Sequence, residues 1–370
     1  MALNCGIVGL PNVGKSTLFQ ALTSAPAEAA NYPFCTIEPN VGVVAVADER
    51  LDKITKFIKP QKTIPTVVEF VDIAGLVKGA SKGEGLGNQF LGHIRSVNAV
   101  IHVVRCFQDD DVIHVAGRID PIEDIQTINL ELALADLEVV ERKLAGASRA
   151  IKSQNKEISG KAKAQQPILE KLQKELAEGH AARMMDLSDD EKETIDDLNL
   201  ITLKPVLYLC NVDEDAVTSG GNEFVTKVKE FAQSENAETF MICGKLESEI
   251  ASLETEEERA EFMEAAGIEK SGLQVLAKFA YDMLGLRTYF TAGEKEVRAW
   301  TFHAGAKAPQ AAGVIHTDFE RGFIKAEVFH CEDLFNYGTE SKVKEAGKFR
   351  VEGKEYEVKD GDVMHFRFNV

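Results

Sequence analysis

The stretch Gly9-Leu10-Pro11-Asn12-Val13-Gly14-Lys15-Ser16 constrains this chain more than any other. It fits the phosphate-binding pattern G-x-x-x-x-G-K-[ST]. Before it, Cys5, Ile7 and Val8 read as a short buried strand; after it, Thr17 to Leu22 reads as a helix start. Strand, glycine loop and helix are the context in which this pattern holds a triphosphate. Glycine lets backbone N–H groups turn inward around phosphate oxygens. The helix N-terminus adds partial positive charge. Lys15 is placed to reach the β- and γ-phosphates and to stabilise charge on the transferring group, and the Ser16 hydroxyl to hold Mg²⁺. Asn12, Val13, Gly14, Lys15, Ser16 and Thr17 are thus candidate nucleotide contacts, with Lys15 a candidate catalytic residue.

A second anchor runs from Val67 to Gly75, an apolar strand ending in Asp72 with Gly75 just beyond it. A carboxylate there can hold Mg²⁺ through water, and the Gly75 N–H can bond the γ-phosphate. Thr36 lies between Pro33 and Pro39, in a loop linking the first helix to the next strand. In phosphate-loop switches a threonine there completes the Mg²⁺ shell. Leu76 follows Gly75, where Ras-like enzymes carry a glutamine that orients the attacking water. Leucine cannot do this, so the catalytic group comes from elsewhere or hydrolysis is slow. His114 follows the polar loop Gln108-Asp109-Asp110-Asp111. A lone histidine there is ordinarily structural or a surface residue.

The rest of the chain divides by pattern. Its 370 residues suggest two or three domains. Apolar strands at Ala99–Phe107 and Pro205–Cys210, and a further strand and loop at Phe240–Lys245, place 1–130 and 200–282 in one α/β domain. Between them, 131–199 is a helical insertion. Asp124 to Ala164 has no proline, and Leu130, Leu134, Leu137, Val140 (or Glu141), Leu144 and Ile151 recur near helical spacing. Pro167 predicts the opening of a second helix, and Ser188-Asp189-Asp190-Glu191 a capping box for a third. Residues 284–369 read as a small β-rich domain, with a helix over Gly313–Gly322 and a hairpin turning at Asp360-Gly361.

Charge and cysteine usage bound the partners. The net charge of −18 argues against bulk attraction to nucleic acid, and DNA is not an expected partner. Between Glu141 and Lys163, however, seven basic residues face two acidic ones. That stretch is either a solvated hairpin or a basic arm for a large anionic partner. Six scattered cysteines without a C-x-x-C pair predict reduced thiols in a cytosolic protein. No apolar run approaches the length of a membrane span, and the N-terminus has no signal-peptide pattern.

Together these segments resemble the YchF/Obg-like ATPases of the TRAFAC class of P-loop NTPases. The resemblance rests on G-L-P-N-V-G-K-S at 9–16, Y-P-F-C-T-I-E-P-N at 32–40, D-I-A-G-L-V at 72–77 and N-V-D-E at 211–214. It implies a Ras-like P-loop G domain with a coiled-coil-like helical insertion and a C-terminal β-grasp TGS domain. It also implies slow ATP hydrolysis, ribosome binding through rRNA or ribosomal protein, and a link to translation or stress. Leu76 fits the subgroup with an apolar residue in place of glutamine. His114 sits where relatives have a proposed catalytic histidine. Asn12 matches the asparagine that holds K⁺ in related enzymes, so K⁺ joins Mg²⁺ as a candidate cofactor.

Base choice follows from 211–214. GTPases of this fold read guanine with N-K-x-D, whose aspartate accepts from guanine donors. Here Val212 replaces the lysine and Glu214 the aspartate. An asparagine amide matches the N6/N7 edge of adenine. Asn211 is therefore the candidate adenine reader, with Val212 beside the ring and Gly244 of Cys243-Gly244-Lys245 near the base. The predicted function is an ATP-hydrolysing switch. A GTPase of the same fold, or an ATP-liganded binding module with negligible turnover, are the alternatives.

Overall fold

Ala99 to Arg105 is buried at every position, as is Val206 to Asn211. Strands without polar alternation need cover on both faces, which a parallel sheet between helices provides. The computed structural model describes residues 4–24, 40–73, 86–109, 112 and 117–369. Its strands are β1 Asn4–Val8, β2 Val41–Ala45, β3 Lys62–Ile64, β4 Val67–Asp72, β5 Ala99–Arg105, β6 Val206–Asn211, β7 Glu238–Ile242, β8 Leu286–Ala292, β9 Glu296–His303, β10 Phe323–His330, β11 Arg350–Glu352 and β12 Asp362–Phe368. The first sheet has the order β2-β4-β1-β5-β6-β7. All its pairs are parallel except β2 with β4. The two directions of winding part at β1, so its C-terminal end opens the crevice where α/β sheets bind ligands.

The second sheet is ordered β11-β10-β12-β8-β9-β3. Its last strand comes from far upstream: Lys62–Ile64 pairs in parallel with Glu296–Arg298. The helix Glu49–Ile58, capped by Asp48, buries Leu51 and Ile54 against Phe290, Phe329 and Leu334 of this sheet's core. The sequence reading leaves that segment within 1–130, because nothing local to it names its partner strand. The Asp360-Gly361 turn does not close a hairpin either. Asp360 accepts from the Thr288 N–H and from Arg50, and the Gly361 N–H donates to Thr288 O. β12 then runs between β10 and β8. The helix expected over Gly313–Gly322 is two pieces, Ala308–Ile315 and Thr317–Arg321, parted by extended His316.

The insertion is built on the helices Pro121–Ile151 and Lys156–Ala177. The second does not open at Pro167, which lies inside it. Asn155 caps it by accepting from the Glu157 and Ile158 N–H groups. Burial of Ile168, Leu169, Leu172 and Leu176 outweighs an interior proline that costs about 3 kcal/mol. Leu130, expected on the apolar stripe of the first helix, is 46% exposed; Ile125, Ile128 and Leu132 carry that face. The capping box at Ser188 is present and starts the helix Asp189–Ile195. Among the described residues, no helix is long and apolar enough to cross a membrane.

Candidate nucleotide and metal site

The phosphate loop leaves β1 between β4 and β5 and enters the helix Lys15–Ser24. That helix has no acidic residue in its first turn, so its own side chains do not oppose an anion at its N-terminus. Asn12 adopts φ 63° and Gly14 φ 91°, both left-handed. Gly14 is required for a second reason: a Cβ there would lie 2.1 Å from the Asn211 amide nitrogen. Ser16 and Thr17 are exposed on the first helical turn.

Register brings the second anchor to the loop, because Ile7 pairs with Asp72 across β1 and β4. The Lys15 Nζ and Asp72 Oδ1 atoms form an ion pair at 2.5 Å, with Lys15 buried. A cation buried at a glycine loop is compensated by the carboxylate at the end of the neighbouring strand. The Ser16 hydroxyl and the Asp72 carboxylate are hard oxygen donors of the kind that suit Mg²⁺. Thr36, Gly75, Leu76 and His114 lie outside the described residues.

Asn211, at the end of β6, is buried, and both ends of its amide are engaged. Nδ2 donates to Val13 O at 2.9 Å, and Oδ1 accepts from the Gly244 N–H at 2.9 Å. The residue ties the phosphate loop to the start of the helix Gly244–Ser252. One donor hydrogen and one lone pair of the amide stay uncommitted by these bonds. Val212 is buried, its N–H bonded to Ile242 O. Glu214 pairs with Lys245 at 3.0 Å, a contact that holds the lysine pKa above its ordinary value.

Residues of the phosphate loop and of the 211–214 and 243–245 segments line one cavity of about 980 Å³, which Asp72 meets only through its pair with Lys15. Asn12, Gly14, Lys15, Ser16 and Thr17 meet Asn211, Val212, Glu214, Gly244 and Lys245 around it. Val13 contributes its carbonyl through Asn211, and its side chain is buried in the core. A family profile described as a 50S ribosome-binding GTPase matches residues 4–143, and one for a YchF GTPase C-terminal region of unknown function matches 286–369. The ribosome-binding ATPase YchF of Bacillus subtilis is 57% identical over 100% of both chains.

The chain belongs to the YchF family.

The YchF protein of Haemophilus influenzae, also named a ribosome-binding ATPase, is 54% identical over 100% of both chains. A solved Schizosaccharomyces pombe structure, titled a YchF GTPase, superposes with a TM-score of 0.88 at 42% identity, covering 99% of this chain and 97% of that one. Beyond the sequence-derived residues, this YchF family member lines its cavity with Phe107, Gln108, Asp109 and Val112 after β5, and with Lys245. The available signal was Arg105, a charge closing a strand that is apolar apart from His102.

Proposed function

We propose that this chain is a ribosome-binding ATPase of the cytoplasm that hydrolyses ATP to ADP and phosphate as a slow switch. The observation that carries this is the meeting of Lys15 and Asp72 at the helix N-terminus of a glycine loop. Relatives that match the full length at 54–57% identity carry the name ribosome-binding ATPase. In this reading Ser16, Thr36 and, through water, Asp72 hold Mg²⁺, which supplies charge neutralisation at the β- and γ-phosphates. Lys15 exchanges its carboxylate partner for phosphate oxygens. The backbone of Asn12 to Thr17 and the Gly75 N–H bind the phosphates, and His114 is the candidate for orienting water. Asn12 is the candidate K⁺ ligand.

Adenine is read by the uncommitted N–H and lone pair of Asn211, with Val212 and Gly244 forming the floor. The ion pair of Glu214 with Lys245 supports this choice, since the carboxylate that would accept from guanine is engaged elsewhere. Ribosome contact falls to the tip of the helical insertion. Arg149, Lys152 and Lys156 are exposed there beside Ile158, whereas Lys143 and Lys161 are paired with Asp197.

Steady-state phosphate release, with and without ribosomes and in K⁺ or Na⁺ at equal ionic strength, tests the reading. ATP turnover should need Mg²⁺, rise with ribosomes and with K⁺, and fall at least a hundredfold in Lys15→Ala, as for loss of one preorganised charge contact. Undiminished turnover in a folded Lys15→Ala protein would remove the loop from the mechanism.

A further inference from the structure

Arg105 ends β5 and is 1% exposed, beneath the cavity wall formed after that strand. Its guanidinium uses three donors on one short segment. Nε donates to Phe107 O at 3.3 Å, Nη2 to Asp109 O at 3.1 Å and Nη1 to Val112 O at 2.8 Å. The guanidinium carbon also lies 4.6 Å from the centre of the Phe107 ring. Burial lowers the pKa of this arginine, and the negative charges of Asp109 and Asp124 oppose that. Burying a guanidinium is costly unless its donors are used, and an apolar side chain would fill the strand end without that cost. The fork does what an apolar residue cannot: it donates to the carbonyls of Phe107 and Val112 and adds a second donor to Asp109 O, which also accepts from the Val112 N–H at 3.3 Å. Phe107, Asp109 and Val112, whose carbonyls it holds, all line the cavity that also contains Val212 and Lys245.

We infer that Arg105 is a positioning residue that fixes the wall of Phe107, Asp109 and Val112 against the base half of the nucleotide, and thereby sets the part of the affinity that depends on the base. This rests on the reading of the cavity as an ATP site. The phosphate half is held independently, by the loop after β1 and the helix N-terminus.

The two halves can be titrated apart. Calorimetry with Mg²⁺ compares a non-hydrolysable ATP analogue with inorganic tripolyphosphate, on the unmutated chain and on Arg105→Lys and Arg105→Gln. Lysine keeps the charge without the fork, and glutamine keeps donors without the charge. Both variants should weaken the ATP analogue about tenfold while tripolyphosphate stays within about twofold, because one unit of RT ln 10 is lost from base contacts alone. Equal weakening of both ligands, or no change in either, overturns the proposal. Failure of the unmutated chain to prefer the ATP analogue over tripolyphosphate instead overturns the nucleotide reading beneath it. Hydrogen exchange on the unmutated chain decides the matter if both variants unfold. The amides of Phe107, Gln108, Asp109 and Val112 should gain protection from the ATP analogue and not from tripolyphosphate, and equal protection by both contradicts the role.

Discussion

Asn211 shows how one side chain can carry several duties. Its amide bonds Val13 O and the Gly244 N–H, which stand 198 and 33 residues away in the chain. Removing it leaves a buried carbonyl and a buried N–H without partners, each costing about 1–3 kcal/mol. Asn211→Ala should therefore lower unfolding free energy by about 3 kcal/mol and weaken every nucleotide, base-bearing or not, because the phosphate loop loses its tether. Urea unfolding and tripolyphosphate titration check this. A variant of unchanged stability that loses only base discrimination would make Asn211 a reader and nothing more. From the sequence, an asparagine ending a strand after the phosphate loop reads as a base contact. Its two backbone bonds were not legible, because they depend on β6 lying two strands from β1.

At the scale of elements, β5 joins the site to the core. His102 in its middle is 1% exposed and packs on Tyr208 of β6, with ring centres 5.6 Å apart. Burial, and then the charge of Arg183, push its pKa down from 6.5 to about 3. The unfolded chain thus binds a proton that the folded chain refuses between those values. Stability is full above about pH 7, falls as pH drops through 6.5, and continues falling towards 3. Between pH 7 and 5 the loss from this group is about 2 kcal/mol. Denaturant melts at the two pH values should show it, and His102→Leu should remove most of the difference. An unchanged pH dependence in that variant would assign the effect to other groups. The phosphate loop and Asp72 were legible because each motif is local and each ends a strand. The wall of Phe107, Gln108, Asp109 and Val112, the Glu214–Lys245 pair and the seating of β3 beside β9 were not, since each joins segments that only strand order brings together.

For the whole molecule, charge placement matters more than charge total. The net charge is −18, yet Arg149, Lys152 and Lys156 share the exposed tip of a long helical pair. Reversing these three residues to Glu should weaken ribosome cosedimentation at low salt by about tenfold or more, and should flatten its dependence on salt. Binding that survives the reversal would move the contact to another face. The cavity between the phosphate loop and 211–214 is expected to select ATP over GTP. Calorimetric titration with non-hydrolysable ATP and GTP analogues in Mg²⁺ tests it most directly. Tighter binding of the ATP analogue, with the GTP analogue retained weakly through the shared phosphate contacts, is the predicted result; tighter binding of the GTP analogue would contradict it.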